Sequence, residues 1–162
     1  MKTEKAILAA GCFWGVEELL RSYKGVINTE VGYSGGDGDK ATYEMVKTGK
    51  TEFAEAIQVE FDPEKISYKE LLHAFFKLHD PTTKNQQGND VGRQYRSAIF
   101  YFSDQQKAAA EEVKSEVEKS GKWKRPIVTE IVPAKTFFNA ESYHQDYLQK
   151  NPNGYTCHYW RE

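Results

Sequence analysis

The apolar run Ala6-Ile7-Leu8-Ala9-Ala10 breaks off at Gly11-Cys12-Phe13-Trp14-Gly15, and beyond it Val16, Leu19, Leu20 and Tyr23 recur at helical spacing. A buried strand therefore turns sharply into a helix, with Cys12 near the helix start. Two glycines let the backbone turn and let another molecule approach closely. Unpaired N–H groups and the positive end of the helix dipole favour a thiolate there. The expectation is a nucleophilic Cys12 beside two large rings, Phe13 and Trp14.

The rest of the chain narrows the setting. Its 162 residues suit one domain, 1–162, whose tail from about residue 150 carries the second cysteine. A net charge of −2 with no basic cluster argues against a nucleic-acid surface, and no apolar run is long enough to span a bilayer. The start, Met1-Lys2-Thr3-Glu4-Lys5, has no secretory apolar stretch, so a cytoplasmic location is expected. The only cysteines, Cys12 and Cys157, lie near opposite ends. In a reducing compartment a transient catalytic disulfide fits them better than a structural one.

Periodicity predicts strands over Lys5–Ala10, Val26–Tyr33, Glu52–Phe61, Ser97–Phe102 and Ile127–Val132. Helices are predicted from Cys12 to Tyr23, from the capping box Ser67-Tyr68-Lys69-Glu70 to Leu78, over Asp104–Ser120, and from Asn139 to Gln149. Thr42–Thr48 reads as a helical turn, and Thr82–Tyr95 has no period and reads as a functional loop. The order β-α-β-β-α-β, then α-β-α, implies an α+β fold. The expected form is a ferredoxin-like two-layer sandwich: a mixed, mostly antiparallel sheet, helices packed on it and an irregular tail.

Strand parity singles out Glu55. It shares a face with Ile57, Val59 and Phe61, so it is the one charged member of an apolar row. Burial of a carboxyl raises its pKa, and a neutral carboxylic acid donates a proton or a hydrogen bond. Tyr43 and Tyr95 lie in or beside irregular segments, where each either aims a hydroxyl into a cleft or caps the core. Asp90 sits in the Gly88-Asn89-Asp90 turn. The four histidines have no metal spacing, so neither a metal nor another cofactor is expected.

These residues resemble the peptide methionine sulfoxide reductases of the A type. The likeness rests on Gly11-Cys12-Phe13-Trp14-Gly15, Gly32-Tyr33-Ser34-Gly35-Gly36, Ala54-Glu55-Ala56 leading to Phe61-Asp62-Pro63, and Gln87-Gly88-Asn89-Asp90. Gln94-Tyr95-Arg96-Ser97, Phe138-Asn139-Ala140-Glu141 and Tyr143-His144-Gln145 continue it. The resemblance implies that Cys12 is the nucleophile and that Phe13 and Trp14 receive the substrate methyl group. It implies that Glu55 is the acid on the sulfoxide oxygen, with Tyr43 and Tyr95 as further donors and Asp90 ordering the polar side. It further implies reduction of the S epimer of methionine sulfoxide, free or in proteins, through a sulfenic acid and then a disulfide to Cys157. Thioredoxin would regenerate the enzyme, which is expected to act as a monomer. The chain departs from many relatives in having one cysteine near its C-terminus rather than two, and Phe53 where they have histidine. Two other readings use the same thiol, a peroxidase and a redox-sensing binding module, but a peroxidase has no need of the aromatic pair.

Overall fold

The computed structural model describes residues 2–161; Met1 and Glu162, which the 1–162 unit includes, lie outside the described residues. Strands β1 (Glu4–Ala10), β2 (Val26–Ser34), β3 (Ala54–Phe61), β6 (Ser97–Tyr101), β7 (Glu130–Pro133) and β8 (Phe138–Asn139) form one sheet. Between β3 and β6 a two-residue hairpin pairs β4 (Gln86–Gln87) with β5 (Asp90–Val91). Helices are α1 (Phe13–Leu20), α2 (Tyr43–Val46), α3 (Tyr68–Leu78), α4 (Asp104–Lys119) and α5 (Tyr147–Lys150).

The sheet order is β7-β6-β1-β3-β2-β8, antiparallel throughout except for the parallel β6–β7 pair. Its central four strands have the ferredoxin-like order, and the edge strands extend it. Parity assigns the two faces as the sequence implied. Ala6, Leu8, Ile57, Val59, Phe61 and Ile99 meet Val16 and Leu20 of α1, Leu71, Leu72 and Phe75 of α3, and Ala110 and Val113 of α4. Each fully buried Leu or Phe here contributes about 1.5–3 kcal/mol. On the other face Ile7, Ala9, Ala54, Ala56, Ala98 and Phe100 lie under Val132, Ala134 and Phe137. The Ser67 capping box is present with both of its hydrogen bonds.

Two sequence expectations fail. Residues 127–129 are not strand: the Val128 N–H donates to Pro81 O, and pairing with β6 begins only at Ala98 with Glu130. The helix expected from Asn139 to Gln149 is replaced by edge strand β8, a 3-10 turn at Ser142–His144 and the short α5. Gly32 admits β8, because a β-carbon there would collide with Phe138 O. A tertiary pairing thus overrides what Asn139 signals locally.

Antiparallel register gathers the chemistry at one end of the sheet. β1 ends there at Ala10 and delivers Cys12, while β3 begins there with Glu55 paired to Tyr33 near the end of β2. β6 starts opposite Ala10 at Ser97, just after Tyr95.

Candidate active site

Cys12 occupies the N-cap of α1 with φ −56° and ψ 120°, and its side chain makes no capping bond. It is 7% exposed. The Trp14 N–H lowers its pKa, as a helix start should, but burial first and the Glu55 charge next push the thiol well above its ordinary value. The sequence-based expectation of a thiolate is therefore corrected: Cys12 rests as a neutral thiol. Local helix electrostatics is outweighed by desolvation, which periodicity alone cannot weigh.

Glu55 is 2% exposed, and its Oε1 accepts the Phe13 N–H at 3.2 Å. Burial pushes its pKa up to about 8; the Phe13 bond opposes this and the charge of Asp90 adds to it. At pH 7 the protonated form therefore outweighs the ionised form by about tenfold. The Tyr43 phenol is raised by burial, then by Glu55 and Cys12. The Tyr95 phenol is raised by burial, then by Glu55, Asp90 and Cys12, and so is a neutral donor. Both hydroxyls thus lie close enough to the acid and the thiol to be raised further by their ionised forms.

The aromatic pair divides its work. Phe13 is 1% exposed, wedged against Tyr33 and His144 with centroids 5.7 and 5.2 Å away. Trp14 is partly exposed; it stacks on Tyr147 at 3.8 Å, and its indole N–H donates to His144 Nδ1 at 3.0 Å. That bond requires Nδ1 to be unprotonated, and burial lowers the His144 pKa in the same sense.

Asp90, on the hairpin, accepts the Tyr155 hydroxyl at 3.3 Å, and its own pKa is raised by burial. Cys157 is half-buried, with Sγ 3.9 Å from each of Gln87 O, Asp90 Oδ2 and His158 Nδ1. Both cysteines are free, and Cys157 is near enough to Cys12 for its ionised form to raise the Cys12 pKa. All eight residues singled out from sequence thus lie in or beside this one region. Phe53 fits a hydrophobic niche: its ring packs under Gly36 and edge-on to Phe138, with centroids 5.7 Å apart.

Sequence reasoning missed the supports. The Tyr33 hydroxyl donates to Glu141 Oε1 at 2.9 Å, and the Tyr43 N–H donates to Glu141 Oε2 at 3.0 Å, so one carboxylate fixes α2 against the sheet. Fully buried Glu17 accepts from Thr29 Oγ1 at 2.9 Å and the Asp146 N–H at 2.9 Å, and pairs with Arg21 at 3.2 Å. It thereby ties α1 to the turn that carries His144 and Tyr147. A signal was present, since Glu17 lies one turn beyond Phe13 on the apolar stripe of α1. Among the described residues no group of three or more His, Cys, Asp or Glu is arranged for a metal ion, and no helix is long and apolar enough to cross a membrane.

A ferredoxin-like sheet that brings together a buried thiol and a neutral carboxylic acid, with a second free thiol nearby, is a setting suited to oxidoreductase chemistry. The peptide methionine sulfoxide reductase profile matches residues 4–162. A curated relative from Mesorhizobium japonicum, "Peptide methionine sulfoxide reductase MsrA 1", is 58% identical over 159 residues, covering 98% of this chain and 90% of its own. Mxr1 from Saccharomyces cerevisiae in reduced form superposes with a TM-score of 0.94 at 43% identity, over 99% of this chain and 93% of that one. Mxr1 in complex with Trx2 matches with a TM-score of 0.68 at 31% identity, over 99% and 91%. The chain belongs to the peptide methionine sulfoxide reductase family.

Proposed function

We propose that the protein reduces the S epimer of methionine sulfoxide, free or in proteins, to methionine, and so repairs oxidative damage. The observation that carries the reading is a carboxylic acid, 2% exposed and with a pKa near 8, beside a buried neutral thiol. A sulfoxide oxygen bears much negative charge, and neutral donors aimed at it make the sulfur electrophilic. Glu55 protonates that oxygen, with Tyr43 and Tyr95 as further donors and Asp90 ordering the polar side. Cys12 attacks the sulfur while its proton passes to Glu55. The oxygen then passes to Cys12 Sγ with the electron pair of the S–O bond, the S–S bond just formed breaks with its pair left on the methionine sulfur, and Cys12 is left as a sulfenic acid. Trp14 forms the wall for the substrate methyl group, backed by buried Phe13.

Cys157 then attacks the sulfenic acid, giving a disulfide and water. Thioredoxin reduces the disulfide by thiol–disulfide exchange; the complex of the yeast relative with Trx2 supports this choice of reductant. In this reading the chain acts as a single-domain monomer in the cytoplasm, without cofactor, nucleic-acid or membrane partner. The test is incubation with dithiothreitol and each epimer of a methionine sulfoxide peptide, followed by mass. Loss of one oxygen from the S epimer alone is expected. Oxygen loss from peroxide alone, or binding without loss, refutes the reading.

A further inference from the structure

Two glycines bracket Cys12: the C-terminal tail fills the space over Gly15, and Gln87 of β4 with the tail's His158 fills that over Gly11. A β-carbon on Gly15 would collide with the Thr156 hydroxyl and the His158 ring. One on Gly11 would fall 2.7 Å from Gln87 Cβ and 3.4 Å from His158 Nε2. Thr156 and His158 in turn bracket Cys157.

His158 is the anchor of this contact. Its ring is 6% exposed, and Nε2 lies 2.6 Å from Ala10 O. A carbonyl only accepts, so Nε2 carries the ring proton. The Thr156 hydroxyl oxygen accepts the His158 N–H at 3.1 Å and folds the tail into a tight turn around Cys157. Further fastenings lie on either side. The Tyr155 hydroxyl donates to Asp90, and Arg161 donates to Lys77 O and Leu78 O at the end of α3, each at 2.8 Å. Gly88 leaves room for the second thiol, since a β-carbon there would lie 3.2 Å from Cys157 Cβ.

We propose that the glycines flanking Cys12 form a seat for the tail, and that His158 is the positioning residue that holds Cys157 over this seat for attack on the Cys12 sulfenic acid. The proposal rests on the reading that Cys157 is the recycling thiol. In the step it serves, Cys157 gives up its S–H proton, an S–S bond forms to Cys12, the Cys12 S–O bond breaks and the oxygen leaves as water. A seated tail makes this an oriented unimolecular reaction rather than a search by a loose chain. It also gives the glycines two separate duties, at the turn and at the seat.

The experiment is a single turnover with methionine sulfoxide without thioredoxin, in His158→Ala and His158→Gln. Glutamine keeps an amide donor able to reach Ala10 O; alanine does not. Methionine formation in the first turnover should match the wild type in both variants, which also shows that they fold. In His158→Ala, disulfide formation should slow at least tenfold, with the sulfenic acid trapped by dimedone, and His158→Gln should recover most of the rate. Iodoacetamide should modify Cys157 of the resting enzyme severalfold faster in His158→Ala and also in Gly15→Ala, whose new methyl group displaces the tail. A wild-type rate of disulfide formation in His158→Ala, or unchanged alkylation in both variants, overturns the seat. A glutamine variant as slow as alanine overturns the role of the Ala10 bond. Full thioredoxin-driven turnover by Cys157→Ser would instead overturn the recycling assignment itself, a result that no His158 variant can give.

Discussion

Replacing Glu55 by glutamine separates the proton it donates from the space it fills. The folded protein holds that proton up to about pH 8, whereas the ordinary value is 4.5. Between these limits the unfolded chain has lost the proton and the folded chain has kept it. Folding stability attributable to this group therefore falls as pH rises, by about 1.4 kcal/mol per unit. Over the whole window the loss is about 5 kcal/mol. Glutamine is nearly isosteric with the neutral acid and cannot ionise. Glu55→Gln should thus match the wild type in stability near pH 5 and exceed it progressively toward pH 8, with a melting temperature higher by roughly 10 °C at the upper end.

Urea unfolding of both proteins at unit intervals from pH 5 to 9 gives the difference curve, in which every titrating group not coupled to Glu55 cancels. Its slope should be positive and should level off above pH 8. Activity should move the opposite way. General acid catalysis is worth about 100-fold or more, so methionine formation in the variant should drop by about that factor at pH 7. Residual activity should persist, because the amide still donates a hydrogen bond. Wild-type rates should decline above pH 8 as Glu55 ionises, and the variant should lack that decline. A flat stability difference together with an unchanged rate would refute the claim that a buried neutral acid drives the reaction.

Other substitutions test the remaining roles. Cys12→Ser should abolish methionine formation in the mass assay, since a hydroxyl at that site is a far weaker nucleophile. Cys157→Ser should release one equivalent of methionine per enzyme and then stall with thioredoxin as reductant, while dithiothreitol restores turnover. Glu17→Ala leaves Thr29, Arg21 and the Asp146 N–H without their shared buried acceptor. It should cost about 1–3 kcal/mol in urea unfolding, since Arg21 keeps its pairs with Asp146 and Glu18, and raise KM more than it lowers kcat, because it loosens the turn that carries the partners of Trp14.

Much of this arrangement was legible in the sequence because it is written in local patterns. Alternation on β3 placed Glu55 on the helix-covered face, and Ser67 with Glu70 marked the start of α3. The strand-to-helix turn at Cys12 followed from glycine and apolar spacing. What the sequence hid was set by distant partners. Asn139 looks like a helix start, yet it pairs with Gly32 at the edge of the sheet. Ile127 looks like a strand residue, yet its neighbour Val128 is tied to Pro81. The Cys12 thiol was expected to ionise because its helix start is visible locally, whereas its burial and the facing carboxyl are properties of the assembled fold. Glu141 is a surface-like letter until the segments it fastens arrive.

The site draws its parts from segments far apart in the chain. Trp14 and its partner His144 are 130 residues apart in sequence. Synthesis at 5–20 residues per second puts roughly ten seconds between them on the ribosome. During that interval the growing chain carries Cys12 and Trp14 without the ring that steadies the indole. The indole beside Cys12 is therefore held only once two segments far apart in the chain have met.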